Sequence, residues 1–128
     1  MIDSTGLKYT IAVNGDFIVV PFSWDNSRSQ YVYVSSAGTL SFDAGKMVVV
    51  RSPSAFLKDL DDDKLKLLLA DNMDVENNQG HWAFDDGTLV FVSLFPFEAG
   101  PEAFANCLGR TAALADQAEA QFSTEDAF

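Results

Sequence analysis

With 128 residues, 48% hydrophobic content and eleven phenylalanines, the chain carries enough apolar side chain for one buried core, and a single domain over residues 1–128 is expected, frayed at 1–7 and 123–128. Eight Lys and Arg against nineteen Asp and Glu leave a formal charge of -11. That balance repels phosphate backbones and anionic lipid, so nucleic acid and membrane surfaces are excluded as expected partners, whereas basic or neutral protein segments are favoured. The longest apolar runs, such as residues 17–22 and 89–92, fall far short of the roughly 18 residues of a membrane span. Cys107 is alone, which excludes an internal disulfide, and Met1-Ile2-Asp3 offers neither a basic leader nor an apolar signal core, so a cytoplasmic protein is expected.

Tyr9, Ile11 and Val13 alternate with Thr10 and Ala12, Asn14-Gly15 supplies the positive dihedrals of a tight turn, and residues 17–22 run back, predicting a hairpin. A polar loop at 24–27 leads to a third strand over 30–35, which Ala37-Gly38 should break. Val48, Val49 and Val50 predict a fourth strand over 46–51. If it runs on to Phe56, Pro53 must sit at an edge or a bulge, because it has no N–H for a ladder. Asp61-Asp62-Asp63 then opens a helix, since carboxylates there accept from free backbone amides and complement the dipole. Leu65, Leu68 and Leu69 form its expected buried stripe, and Asn72 is suited to end it in the left-handed conformation.

After a polar loop at 73–79, His81 to Phe84 reads as a strand, Asp86-Gly87 as a turn and residues 88–95 as the returning strand. Pro101 starts a last helix whose Phe104, Cys107, Leu108, Thr111, Leu114, Ala115, Ala118 and Phe122 follow helical spacing, with Glu102, Arg110, Asp116 and Glu119 assigned to the opposite face. Strands, helix, two strands, helix is the order of an α+β domain, a twisted antiparallel sheet with helices packed on one face.

The strand over 88–95 decides how such a domain presents itself. Leu89, Phe91 and Phe95 fall on one face and Val90, Val92 and Leu94 on the other, where a solvated antiparallel strand would alternate with polar residues. The last helix can cover one face. The other calls for a second helix or a second subunit, and with few long helices in the sequence a homodimer is expected.

Catalytic chemistry has little to stand on. His81 is the only histidine and has no triad partners in sequence, while Cys107 falls on the buried stripe of the last helix, so no catalytic residue is assigned. Asp59 to Asp63 resembles the start of a calcium loop, but its sixth position is Lys64 and its twelfth Ala70, so it can neither turn sharply nor close on a bidentate glutamate. One His and one Cys make a zinc set improbable, and no glycine-rich phosphate loop follows a strand. No metal, no cofactor and no enzyme activity are expected.

The pattern Leu65-x-x-Leu68-Leu69-x-x-Asn72, followed by Trp82-Ala83-Phe84-Asp85-Asp86-Gly87-Thr88-Leu89-Val90-Phe91, resembles the central region of type III secretion chaperones and YbjN-like proteins. Leu94-Phe95-Pro96, Pro101-Glu102-Ala103-Phe104 and Leu114-Ala115-Asp116-Gln117-Ala118 are similar to the end of those families. The resemblance implies a twisted antiparallel sheet with helices on one side, homodimers built around the central helix and sheet, and protein binding without catalysis. Secretion chaperones also open with a client-cradling helix, for which residues 1–7 are too short, and this turns the expectation toward the YbjN-like group, described as sensory transduction regulators.

The expected function is thus a non-enzymatic protein-binding module, a chaperone or regulator acting as a homodimer on a client or regulatory partner. Leu65, Leu68, Leu89 and Phe91 are expected as core or dimer contacts, and Phe95, Phe97 and Phe104 as a partner surface, since apolar anchors dominate interface energies. The alternative is a small-ligand-binding or enzymatic domain with a pocket between the sheet and the last helix.

Overall fold

The computed structural model describes residues 10–11, 18–24, 28–39, 46–74, 79–96 and 99–122. Within them β1 (Thr10–Ile11), β2 (Ile18–Ser23), β3 (Ser29–Thr39), β4 (Lys46–Phe56), α1 (Asp62–Asp71), β5 (His81–Asp85), β6 (Thr88–Pro96) and α2 (Pro101–Phe122) follow one another. The sheet is antiparallel throughout, with strand order β1-β2-β3-β4-β6-β5. The α+β architecture expected from the order of elements is therefore the one observed. The predicted Asn14-Gly15 turn, Phe97 and both expected frayed ends lie outside the described residues, although β1 and β2 pair as that hairpin requires.

Register sorts the side chains. Val20, Val32, Val34, Val50, Leu89 and Phe91 share one face, and both helices pack there. α2, about 33 Å long at 1.5 Å per residue, places Phe104, Cys107, Leu108 and Ala112 over β2, β3 and β4 and Ala115 and Ala118 nearer β5 and β6. This core fills the space between β2, β3, β4 and the first half of the last helix, whereas a cleft lined by Trp82, Leu114 and Ala118 stays open near β5, where the alternative reading placed a pocket.

Pro53 shows how local chemistry shapes the sheet. It lies in a strand flanked on both sides, and the β4–β6 register shifts between Pro53 and Ala55, the bulge that a residue without an N–H requires. On the other side the β3–β4 ladder ends at Tyr33 and Arg51. Side chains take over there: Ser52 Oγ donates to the Tyr31 carbonyl at 2.6 Å, and the Gln30 amide donates to Ser52 Oγ at 2.8 Å and to the Pro53 carbonyl. The bulge turns Ser54 toward α2, where its hydroxyl donates to the Ala115 carbonyl at 2.7 Å.

Elsewhere the turn chemistry is as read. Asp86 and Gly87 both take positive φ, 48° and 81°, as a two-residue hairpin turn demands. Asp61 caps α1 by accepting from the Lys64 amide at 2.9 Å. Gly80 has no room for a side chain, because a Cβ would sit 2.5 Å from the Val92 carbonyl oxygen of β6.

Four local expectations are corrected. β3 continues past Ala37-Gly38 to Thr39, the glycine region being absorbed by an irregularity in register rather than ending the strand. Leu69 is 69% exposed, because α1 rests on the sheet end through Leu68 alone among its buried residues. Asn72 is right-handed, with φ -60°, its side chain being engaged elsewhere. Glu119, assigned to the solvent face of α2, is fully buried. It accepts from Arg28 Nη2 at 3.2 Å while Arg28 Nε bonds Asp116 at 2.9 Å, so the chain entering β3 is tied to the end of α2. Removing the cation leaves buried negative charge poorly compensated, which is costly. Arg28→Met should lower stability by about 3 kcal/mol in urea unfolding, and adding Glu119→Gln should recover most of that loss.

Candidate functional site

The face of the sheet opposite the helices is the candidate site. Alternation places Val19 on β2, Tyr31 and Tyr33 on β3, Val49 and Arg51 on β4, His81 on β5, and Val90, Val92 and Leu94 on β6 along this face. No helix of the described residues covers it. Leu94 is 51% exposed and Tyr31 47% on this face. Val90, on the same strand face, is only 7% exposed. Register gives a reason: Val90 lies between Pro53 and Ala83, whereas Leu94 stands beyond His81, the first residue of β5, and is paired on the β4 side only.

A second surface surrounds α1. Leu67 and Leu69 stand exposed on the helix and Met73 just past its end, with Phe84 of β5 also exposed. A cleft of about 400 Å³ separates α1 from the end of α2, lined by Leu67, Leu68, Asp71, Trp82, Leu114 and Phe122. A smaller one of about 160 Å³ lies between α1 and β5, against Leu65, Leu69 and Phe84. Between the two, polar bonds clasp the helix to the strand. Asn72 receives the Trp82 amide on Oδ1 at 2.6 Å and donates to the Trp82 carbonyl at 3.2 Å, imitating a neighbouring strand, while the Trp82 indole donates to Asp71 at 2.7 Å. These bonds also blunt part of an exposed sheet edge.

The residues singled out from sequence distribute as follows. Leu68, Leu89 and Phe91 lie in the core under the helices, Phe91 meeting Trp82 edge-on at 4.9 Å between ring centroids. Leu65 borders the smaller cleft. Phe104, expected on a partner surface, is 2% exposed, and Phe95 packs on it at 5.5 Å between centroids, so this pair faces the core rather than a partner. The reason is geometric: Phe95 shares the face of Leu89 and Phe91, and Phe104 sits on the inward side of the first turn of α2. Tyr31 and Arg51, which sequence reasoning missed, carry the open face instead. Their signal was present as alternation on strands β3 and β4, but burial of one face cannot be assigned until the helices are placed.

The chemically reactive groups are dispersed. His81 is exposed on the open face of β5, whereas Cys107 is buried beneath α2 on the other face of the sheet. Burial pushes the Cys107 thiol above its ordinary value of 9.0, outweighing the opposite pull of Arg110 and of hydrogen bonds from Thr111, Arg110 and Ser93. The thiol packs within the core cluster that holds Phe104 and Leu108. Among the described residues no group of three or more His, Cys, Asp or Glu is arranged to hold a metal ion. No described helix is long and apolar enough to cross a membrane.

No protein-family model and no curated protein matches the chain. Among solved structures, a chain in the crystal structure of the ExsC-ExsE complex is similar with a TM-score of 0.60, covering 90% of this chain and 81% of that one at 14% identity. The fold is type III secretion chaperone-like. At this identity the likeness speaks for the fold alone.

The clasp on Trp82 is directly measurable. Asn72→Ala removes two backbone bonds at the edge of β5 and should speed hydrogen exchange of the Trp82 amide about tenfold or more, with core amides of β6 slowed no less than in the parent protein.

Proposed function

We propose that this protein is a non-enzymatic protein-binding module, a chaperone or regulator that acts as a homodimer. The observation that carries this reading is the uncovered apolar face of β3, β4 and β6, with Tyr31 and Leu94 about half exposed. Exposed apolar area is stabilised when a partner removes it from water, at about 25 cal/mol per Å². A second copy is the partner always present at matching concentration. The flank of α1, with Leu67, Leu69, Met73 and two clefts, is then left for an apolar segment of a client or regulatory protein. The chain similar in fold was itself solved in a complex, which supports a protein partner.

The regulatory side of this proposal draws on the YbjN-like pattern of Leu65 to Phe91, and the chaperone side on the fold. A second reading, small-ligand binding, has one observation in its favour. The larger cleft, at about 400 Å³, sets Asp71, Gln117 and Gln121 among leucines, a composition seen in ligand sites. An apolar ligand seated there would raise the melting temperature without changing the mass of the particle.

Light scattering separates the two. A particle near twice 14.0 kDa is expected for the native protein, and a strict 14.0 kDa monomer at high concentration would remove the homodimer.

A further inference from the structure

The open face is not uniformly apolar, and its two charges say how a second copy fits. Among the described residues of this face, Arg51 and Asp85 are the only side chains with a formal charge at neutral pH, so these residues sum to zero in a chain of net charge -11. Like-charge repulsion between two copies is therefore least here.

The geometry of Arg51 adds a second constraint. One guanidinium reaches Ser35 on β3 at 3.4 Å and Asp85 on β5 at 3.8 Å. Ser35 stands opposite Val49 and Asp85 opposite Thr88, at diagonally opposed corners of a face four strands wide. A flat sheet would hold those corners much too far apart for one side chain, so the twist hollows the face along this diagonal. Two such saddles seat on each other when crossed, the orthogonal form of sheet packing. The contact with Asp85 within the chain is also loose: it exceeds hydrogen-bond length, and the two side chains are 40% and 63% exposed.

We propose that two copies pack with these open faces together and that Arg51 of each pairs with Asp85 of the partner subunit. A two-fold interface uses the same patch twice, so one cation and one anion per copy suffice to make two reciprocal pairs. Enclosed by Tyr31, Tyr33, Val92 and Leu94, those pairs select the crossed orientation, because any other leaves a charge buried without its counter-ion. This inference rests on the homodimer proposed above and specifies its surface.

Charge exchange between two variants tests it. Arg51→Asp gives a chain with two anions at these positions, and Asp85→Arg a chain with two cations. Each variant alone should dimerise at least tenfold more weakly than the parent protein, whereas an equimolar mixture should regain dimers, seen as a heterodimer by native mass spectrometry. An ion pair confined within one chain cannot be mended by mixing. Leu94→Arg, on the same face, should give a folded monomer by circular dichroism and light scattering. If the parent protein is monomeric, the homodimer fails and this inference with it. A dimeric parent whose two charge variants, or whose folded Leu94→Arg variant, remain dimeric places the interface elsewhere and overturns this inference alone. Monomeric variants whose mixture stays monomeric overturn the reciprocal pairs.

Discussion

β6 is apolar on both sides, and among the described residues helices cover only one of them. Leu89 and Phe91 disappear under α1 and α2, whereas Leu94 on the reverse side stays half in water. Every other feature of the molecule is arranged around this imbalance. Both helices are spent on the same face, because α1 is short and reaches no farther than the end of the sheet at β5, while α2 is the one element long enough to cross several strands. Among the described residues the open face thus follows from where the two helices lie, and its tyrosines, valines and leucine are left without a helix above them.

The helix-covered face is held in position by polar groups as well as by apolar packing. Pro53 opens the β3–β4 ladder, and the serines and glutamine around it restore the lost bonds, one of them reaching up to the backbone of α2. Arg28 then grips Asp116 and the buried Glu119 farther along the same helix. Apolar burial sets how strongly α2 binds the sheet but leaves its angle loosely determined. Directional bonds at Ala115 and Glu119 settle that angle. They also keep the face beneath α2 closed.

The parts of this arrangement legible in the sequence are those encoded locally. Strand alternation, the two positive-φ positions at Asp86-Gly87, the Asp61 cap and the bulge demanded by Pro53 are each set by residues within a few positions of one another. What escaped depends on distant pairing. Glu119 looks like a solvent residue until Arg28, 91 positions away, is brought beside it. Asn72 looks like a helix terminator until its amide is seen serving the edge of β5. Phe104 and Phe95 are aromatic and adjacent to a strand exit, which suggested a partner surface, yet parity along β6 turns Phe95 inward and α2 follows it. The candidate face itself was half legible: Val90, Val92 and Leu94 were marked as needing cover, but Tyr31 and Arg51 joined them only once register aligned three strands.

In this chaperone-like fold the described helices share one face of the sheet, and α1 is clasped to β5 through Asn72 and Asp71. The central claim is that the bare face is a protein-contact surface. Hydroxyl-radical footprinting across a range of protein concentrations tests it most directly, since Tyr31, Leu94 and Met73 all report oxidation. Tyr31 and Leu94 should become protected as concentration rises while Met73, on the flank of α1, stays reactive. Unchanged labelling of Tyr31 and Leu94 from dilute to concentrated protein would contradict the account.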